Sequence, residues 1–358
     1  VRKGEIANDS ARPGLAFLAE ASRNIGTGHV VETLAIACQA SARGMRPVVW
    51  VNAETPIQLT SHVPCPVHRV PDFEDAGIRT VAGEVRALGI EGVITNLRSI
   101  QNEQVAILKE CGVRVLCIDE LGGKHLDCDV VVNASPVKAC HQYTSNNPAF
   151  RMCAGVEFLP LAPEYEAMHA ADRRHRGWLR TAVVSMGGMD RTGATIRLVT
   201  ALLDVRPDVA LHVVIRAGFA HRRELAAARE AIRTNHITVH ENLPLLANLL
   251  CQCDVGFTAG GNTLAELACV GTPALVAFED PHEREQGEAF ERLGFGRCLG
   301  AGISVEPAQI RDAIGAFDDP AVRNQHGITG KALVDGKGTQ RVLDIVSTML
   351  NSDSTVSP

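Results

Sequence analysis

The chain has 358 residues, of which 46% are hydrophobic and 21% charged, with a net charge of -6. These values exclude a disordered, collagen-like or coiled-coil protein, and the length predicts two domains. The acidic balance and an aromatic content of 4% give neither the basic footprint nor the stacking platforms that nucleic-acid binding needs, so no nucleic-acid partner is expected.

Eleven cysteines are scattered, without a CxxC pair, and those in apolar runs (Cys117, Cys269, Cys298) read as small core residues. Free thiols favour a reducing compartment. No apolar run reaches the ~18 residues that span a bilayer. The expectation is a cytoplasmic protein that is not membrane-spanning. No metal-ligand cluster is read, and no cofactor is expected.

Strands alternate with helices along most of the chain. An apolar run from Leu15 to Ala21 leads into Ile25-Gly26-Thr27-Gly28-His29 and a helix that Gly44 closes. Strands are predicted at Pro47–Val51, Gly92–Thr95, Val113–Ile118 and Asp129–Asn133, with helices around Glu84–Leu88 and Gln101–Cys111. Composition shifts near Pro160, and the basic run Arg173-Arg174-His175-Arg176 reads as a solvated linker.

A second alternation starts at Leu179, with strands at Thr181–Met186, Leu211–Ile215, Ile237–His240, Asp254–Thr258 and Pro273–Phe278. Its helices are predicted at Thr192–Leu203, Arg222–Ile232, Leu243–Leu250 and Leu264–Val270. Three more are expected at Glu283–Leu293, Pro307–Ala316 and Thr339–Leu350. This is an α/β pattern of parallel sheets covered on both faces. The expected organisation is a domain at 1–165, a linker at 166–178, a domain at 179–350 and a tail at 351–358.

Four polar loops follow strands, where ligands of such sheets bind. In the first, Gly26 and Gly28 permit a tight turn before a helix N-terminus suited to an anion. Glu32 stands where the third glycine of a dinucleotide fingerprint belongs, so nicotinamide binding is not implied. His29, in the first helical turn, is either a general base or a capping histidine. In the second loop, Gly187 and Gly188 let the backbone approach a diphosphate, while Asp190 or Thr192 caps the next helix. In the third, Gly260, Gly261, Asn262 and Thr263 offer backbone N–H groups and a hydroxyl to phosphate. Glu266, one turn later, either accepts from ribose hydroxyls or complements the helix dipole. The fourth, Phe278 to Gln286, is dense in polar groups.

Three segments carry a resemblance: Ala21-Ser22-Arg23-Asn24-Ile25-Gly26-Thr27-Gly28-His29, Val184 to Asp190, and Thr258 to Glu266 with Gly271-Thr272-Pro273. On them the chain, from about residue 15 to 300, resembles the nucleotide-sugar hydrolases of pseudaminic acid biosynthesis. It is also similar to spore-coat polysaccharide proteins regarded as glycosyltransferases and, more distantly, to the N-acetylglucosaminyltransferase that makes lipid II. The resemblance implies a GT-B fold, two Rossmann-like parallel-sheet domains facing across a cleft, the first for sugar and acceptor and the second for UDP. It implies that His29 acts at the anomeric centre. Gly26, Gly28, Gly187, Gly188, Asp190, Gly260, Gly261, Asn262, Thr263, Glu266 and Gln286 would bind the nucleotide sugar. Three positions depart from the hydrolases: Glu32 replaces an arginine, Thr95-Asn96-Leu97 replaces Asp-x-Tyr, and Glu285-Gln286 replaces Asn-Gln. The departures fall in the sugar half. The expectation is therefore a glycosyltransferase that uses a UDP-sugar donor and a small-molecule acceptor, such as an amine or nucleobase of a natural-product pathway. Hydrolysis of the UDP-sugar and binding without turnover are the alternatives.

Overall fold

The computed structural model describes residues 12–22, 25–171, 175, 177–188, 190–216, 218–232, 236–243 and 246–352. Arg23, Asn24, Arg173, Arg174, Arg176 and Met189, all named above, lie outside the described residues, as does the tail from residue 353. The chain divides into two units.

In the first unit the elements run β1 (Gly14–Ala19), α1 (Gly28–Ala42), β2 (Arg46–Asn52), α2 (Ile57–Thr60), β3 (Val67–Val70), α3 (Asp75–Ala87) and β4 (Gly92–Asn96). They continue with α4 (Asn102–Lys109), β5 (Arg114–Ile118), β6 (Lys124–His125), β7 (Val130–Asn133), β8 (Tyr143–Thr144) and β9 (Arg151–Ala154). Seven strands form one sheet in the order β3-β2-β1-β4-β5-β7-β9, and every pairing is parallel. β1 is buried along its whole length. A strand covered on both faces must be apolar throughout, which is why Leu15 to Ala19 shows no alternation.

The second unit runs α5 (Pro163–Ala170), β10 (Thr181–Ser185), α6 (Ala194–Val205), β11 (Ala210–Ile215), α7 (Arg222–Ile232), β12 (Ile237–Glu241), α8 (Leu246–Leu250) and β13 (Val255–Thr258). Then come α9 (Asn262–Val270), β14 (Ala274–Phe278), α10 (Pro281–Arg292), β15 (Arg297–Ala301), α11 (Pro307–Phe317) and α12 (Pro320–Leu333). Its sheet order is β12-β11-β10-β13-β14-β15, again parallel. In each sheet the order reverses beside the first strand, between β1 and β4 and between β10 and β13. The crevice beyond the carboxyl ends at such a reversal is where open α/β sheets bind ligands.

The chain divides differently from the expected 179–350 domain. The last helix, α13 (Gly338–Asn351), belongs to the first unit. Its stripe Val342, Leu343, Val346 and Met349 packs with Leu15, Phe17, Leu34 and Ala37 over the first sheet. That sheet face needs an apolar cover, and the stripe supplies it at helical spacing. Gly338 starts this helix so close to the Leu159 carbonyl that a Cβ would collide with it. The expected linker 166–178 also overlaps α5, which lies in the second unit with Tyr165 buried. His175, read above as part of a solvated run, is buried beside Asp254. Strands β3, β9 and β15 and helix α12 were not expected from the pattern. Among the described residues no helix is long and apolar enough to cross a membrane.

Candidate functional site

In the first unit the loop between β1 and α1 is clamped from the next strand. The Asn52 side chain, at the end of β2, accepts from the Ala21 N–H (3.0 Å) and donates to the Ala21 carbonyl (2.8 Å). Ser22 and Gly26 then exchange backbone hydrogen bonds, with Gly26 at φ +74°. Thr27 and Gly28 then begin α1, and the Thr27 side chain makes no cap. His29 follows within the first turn and is only 9% exposed.

The His29 ring is held from β4. Its Nδ1 lies 2.8 Å from Asn96 Oδ1. The Asn96 Nδ2 donates to Glu32 Oε2 (2.9 Å) and to the His29 carbonyl (3.2 Å). An amide oxygen only accepts, so Nδ1 carries the proton that is shared with Asn96. The neutral ring then has its lone pair on Nε2. Glu120, two residues beyond β5, places Oε1 at 3.9 Å from Nε2 and is one-third exposed. The arrangement is a proton acceptor of fixed orientation with a carboxylate beside it.

In the second unit, two glycine loops follow β10 and β13, with different outcomes. After β10 come Gly187 and Gly188. Asp190, at φ 43° and buried, then turns its carboxylate onto the Ala194 and Thr195 N–H groups (2.8 and 3.0 Å). Burial raises its carboxyl above the ordinary range, with Glu279 adding to the effect. Asp190 was expected either to cap the next helix or to bind nucleotide, and its carboxylate caps α6, whose first N–H groups have no helical partners of their own.

After β13, Gly260 sits at φ +113°, and a Cβ on it would stand 2.6 Å from the Glu283 carbonyl oxygen. Only glycine fits that turn. Gly261, which precedes α9, has no side chain to cap it. Asn262 and Thr263 form its first turn. Glu266 has the Thr263 and Tyr165 hydroxyls and the Arg216 guanidinium in its electrostatic surroundings. Burial pushes its carboxyl up, while Arg216, just past β11, and those hydroxyls pull it back. The Tyr165 hydroxyl is itself raised well above its usual range by burial and by Glu266.

The loop after β14 holds three carboxylates. Glu279 accepts from the Thr192 N–H and hydroxyl (2.9 and 2.7 Å). Asp280 caps α10 at the Glu283 N–H and pairs with Arg191 (both 2.9 Å). Glu283 accepts from the Glu279 N–H (2.8 Å), and burial pushes its carboxyl up to about 7. Gln286 donates to the Ser135 hydroxyl (2.9 Å). This loop therefore fixes its own turn and the one after β10.

The structure thus brings Gly260, Gly261, Asn262, Thr263 and Glu266 together at one helix start, and Gly26, Gly28 and His29 at another. Sequence reasoning did not select Asn96, Glu120, Tyr165 or Arg216 as site residues. Each of the first, second and fourth stands at or just past a strand's carboxyl end, and that position was the available signal.

No family model matches the chain. Over 252 residues it is 25% identical to the spore coat polysaccharide biosynthesis protein SpsG of Bacillus subtilis, covering 69% of this chain and 73% of that one. Over 151 residues, 41% of this chain and 40% of the other, it is 32% identical to a Thiobacillus denitrificans enzyme. That enzyme is the UDP-N-acetylglucosamine–N-acetylmuramyl-(pentapeptide) pyrophosphoryl-undecaprenol N-acetylglucosamine transferase. Among solved structures, Acinetobacter baumannii MurG superposes with a TM-score of 0.65 at 15% identity, covering 94% of this chain and 99% of that one. The fold is GT-B. Each of the two parallel-sheet units carries its glycine loops at the carboxyl edge of its sheet, where open α/β sheets bind ligands.

Proposed function

We propose that the chain is a glycosyltransferase that moves a sugar from a UDP-sugar to a small acceptor, with His29 as the general base. The observation that carries this reading is the Asn96 contact, which leaves the Nε2 lone pair as the basic atom of His29. The acceptor's X–H proton passes to Nε2 while its lone pair attacks the anomeric carbon. The bond from that carbon to the diphosphate oxygen breaks, and its electron pair leaves with UDP. We assign the diphosphate to the start of α9, where a helix N-terminus stabilises the charge that develops on the leaving group. Glu266, near the Thr263 and Tyr165 hydroxyls, is assigned to the ribose.

Glu120 favours an amine acceptor over an alcohol. A nucleophilic nitrogen brings two hydrogens, one for Nε2 and one for the Glu120 carboxylate 3.9 Å away. A hydroxyl brings only one. The donor half of the reading draws on the Thiobacillus enzyme, whose name gives a UDP-sugar donor. The free state of all eleven cysteines suits a reaction in the reducing cytoplasm.

The test is UDP release from a panel of UDP-sugars with and without amine acceptors. Release that requires the acceptor is the expected result. Free sugar formed without acceptor identifies a hydrolase, and no release with any acceptor identifies a binding protein. His29→Ala is expected to lower turnover by about 10²–10⁴-fold, the usual range for a positioned base, with UDP affinity unchanged by calorimetry. Loss of UDP affinity in this variant counts against the role of base.

A further inference from the structure

The identity of His29's basic nitrogen depends on an ambiguous partner. The two ends of an asparagine amide have nearly the same shape but opposite hydrogen-bonding roles. With Oδ1 towards the ring, Nδ1 carries the proton and Nε2 is the base. With Nδ2 towards the ring, Nδ1 must accept, the proton moves to Nε2, and the ring cannot take a proton from an acceptor there. Something must therefore fix the Asn96 amide.

Glu32 lies one turn after His29 on α1, so the two side chains share a helix face and straddle Asn96 from β4. Its Oε2 accepts from Asn96 Nδ2 at 2.9 Å, and Glu32 and Asn96 are 8% and 1% exposed. Turning the amide over would set Oδ1 against a carboxylate, two acceptors facing each other in a buried place, which is strongly unfavourable. The His29 carbonyl also accepts from Nδ2, at 3.2 Å. That bond is longer and lacks the charge that strengthens the one to Glu32.

We infer that Glu32 is a positioning residue that locks the Asn96 amide and thereby makes Nε2 the basic nitrogen of His29. It needs no contact with donor or acceptor. The inference rests on His29 being the base of the transfer reaction for its catalytic meaning, but the tautomer itself can be read without any substrate. It also joins two departures noted in the sequence: Glu32 and Asn96 are partners in a single hydrogen-bonded unit.

The experiment is 15N NMR of the His29 ring in the full chain, with steady-state kinetics on the same samples. The wild type is expected to show one neutral tautomer, protonated at Nδ1. Glu32→Leu is expected to give a mixture of tautomers and to lower kcat in proportion to the fraction no longer protonated at Nδ1, about 2- to 10-fold, with KM for the UDP-sugar unchanged. Glu32→Gln keeps the shape and an acceptor oxygen, so it should retain the wild-type tautomer and most of the activity. Asn96→Leu should lower kcat, and adding Glu32→Leu to it should lower kcat no further, because the two act as one unit.

If the tautomer is unchanged in Glu32→Leu, the inference is wrong whatever the activity. If Glu32→Gln loses the tautomer as fully as Glu32→Leu, or if only that conservative variant folds and its tautomer is mixed, the inference is equally overturned. If the tautomer shifts as expected while His29→Ala keeps full turnover, the positioning role stands and the proposed base does not.

Discussion

Two helix starts in the second unit look alike in sequence and differ in what they offer. Both α6 and α9 follow a strand of the same sheet through a pair of glycines, Gly187-Gly188 and Gly260-Gly261. At α6 the protein's own Asp190 carboxylate takes the first N–H groups at 2.8 and 3.0 Å. At α9 the residue in the capping position is Gly261, which has no side chain to offer. An anion-binding helix start needs its N–H groups kept clear of the chain's own carboxylates. A glycine pair after a strand is therefore not by itself a phosphate site. The residues two or three places later decide.

Substitutions at these two starts test the contrast. The largest effect is expected for Gly260→Ala, whose Cβ meets the Glu283 carbonyl at a φ of +113°. The α9 start must then move, and UDP affinity should fall by tenfold or more, about 1.4 kcal/mol, in titration calorimetry. An unchanged affinity would break the assignment of the diphosphate to α9. Asp190→Ala is next. Losing the cap should cost about 1 kcal/mol of stability in urea unfolding, with UDP affinity within about twofold of wild type. A loss of affinity matching that of Gly260→Ala would show that α6 also holds the nucleotide, and the contrast would fall.

The smallest effect is a pH dependence at Glu283, behind the Gly260 turn. Burial raises its folded-state value to about 7 from the ordinary 4.5. The folded protein therefore holds this proton across an interval in which the unfolded chain releases it. The stabilisation is full below about 4.5, shrinks as pH rises and is gone above about 7. The thermal midpoint of the wild type, measured relative to Glu283→Gln, should accordingly fall between these pH values. A constant difference would mean that the carboxylate is ionised throughout.

Much of the fold was legible because it follows from local rules. The unbroken apolar run Leu15 to Ala19 marks a strand covered on both faces. The glycines after β1, β10 and β13 mark where the chain turns at the carboxyl edge. Elements with weaker signals were missed. β3 is Val-His-Arg-Val with one buried residue at its end, and β9 opens on two exposed residues. Periodicity of burial is faint in such short pieces.

The candidate site divides along the same line. His29, Gly260, Thr263 and Glu266 could be named from their spacing to a strand end and a helix start. Their partners could not. Asn96 meets His29 across 67 residues and Glu32 across 64, and Tyr165 reaches Glu266 from a helix read as linker. Asp190 could be read as a cap or as a ligand until its carboxylate was seen against Ala194 and Thr195.

The sequence by itself determined the alternation of strands and helices, the glycine turns and the residues they present, because each depends on neighbours within one turn or one strand. Only the tertiary structure decided that α13 returns to the first unit, that Asp190 caps α6, and that Asn96 and Glu32 close on His29. Those outcomes are set by which apolar face finds a cover and by which donor meets which acceptor across distant parts of the chain.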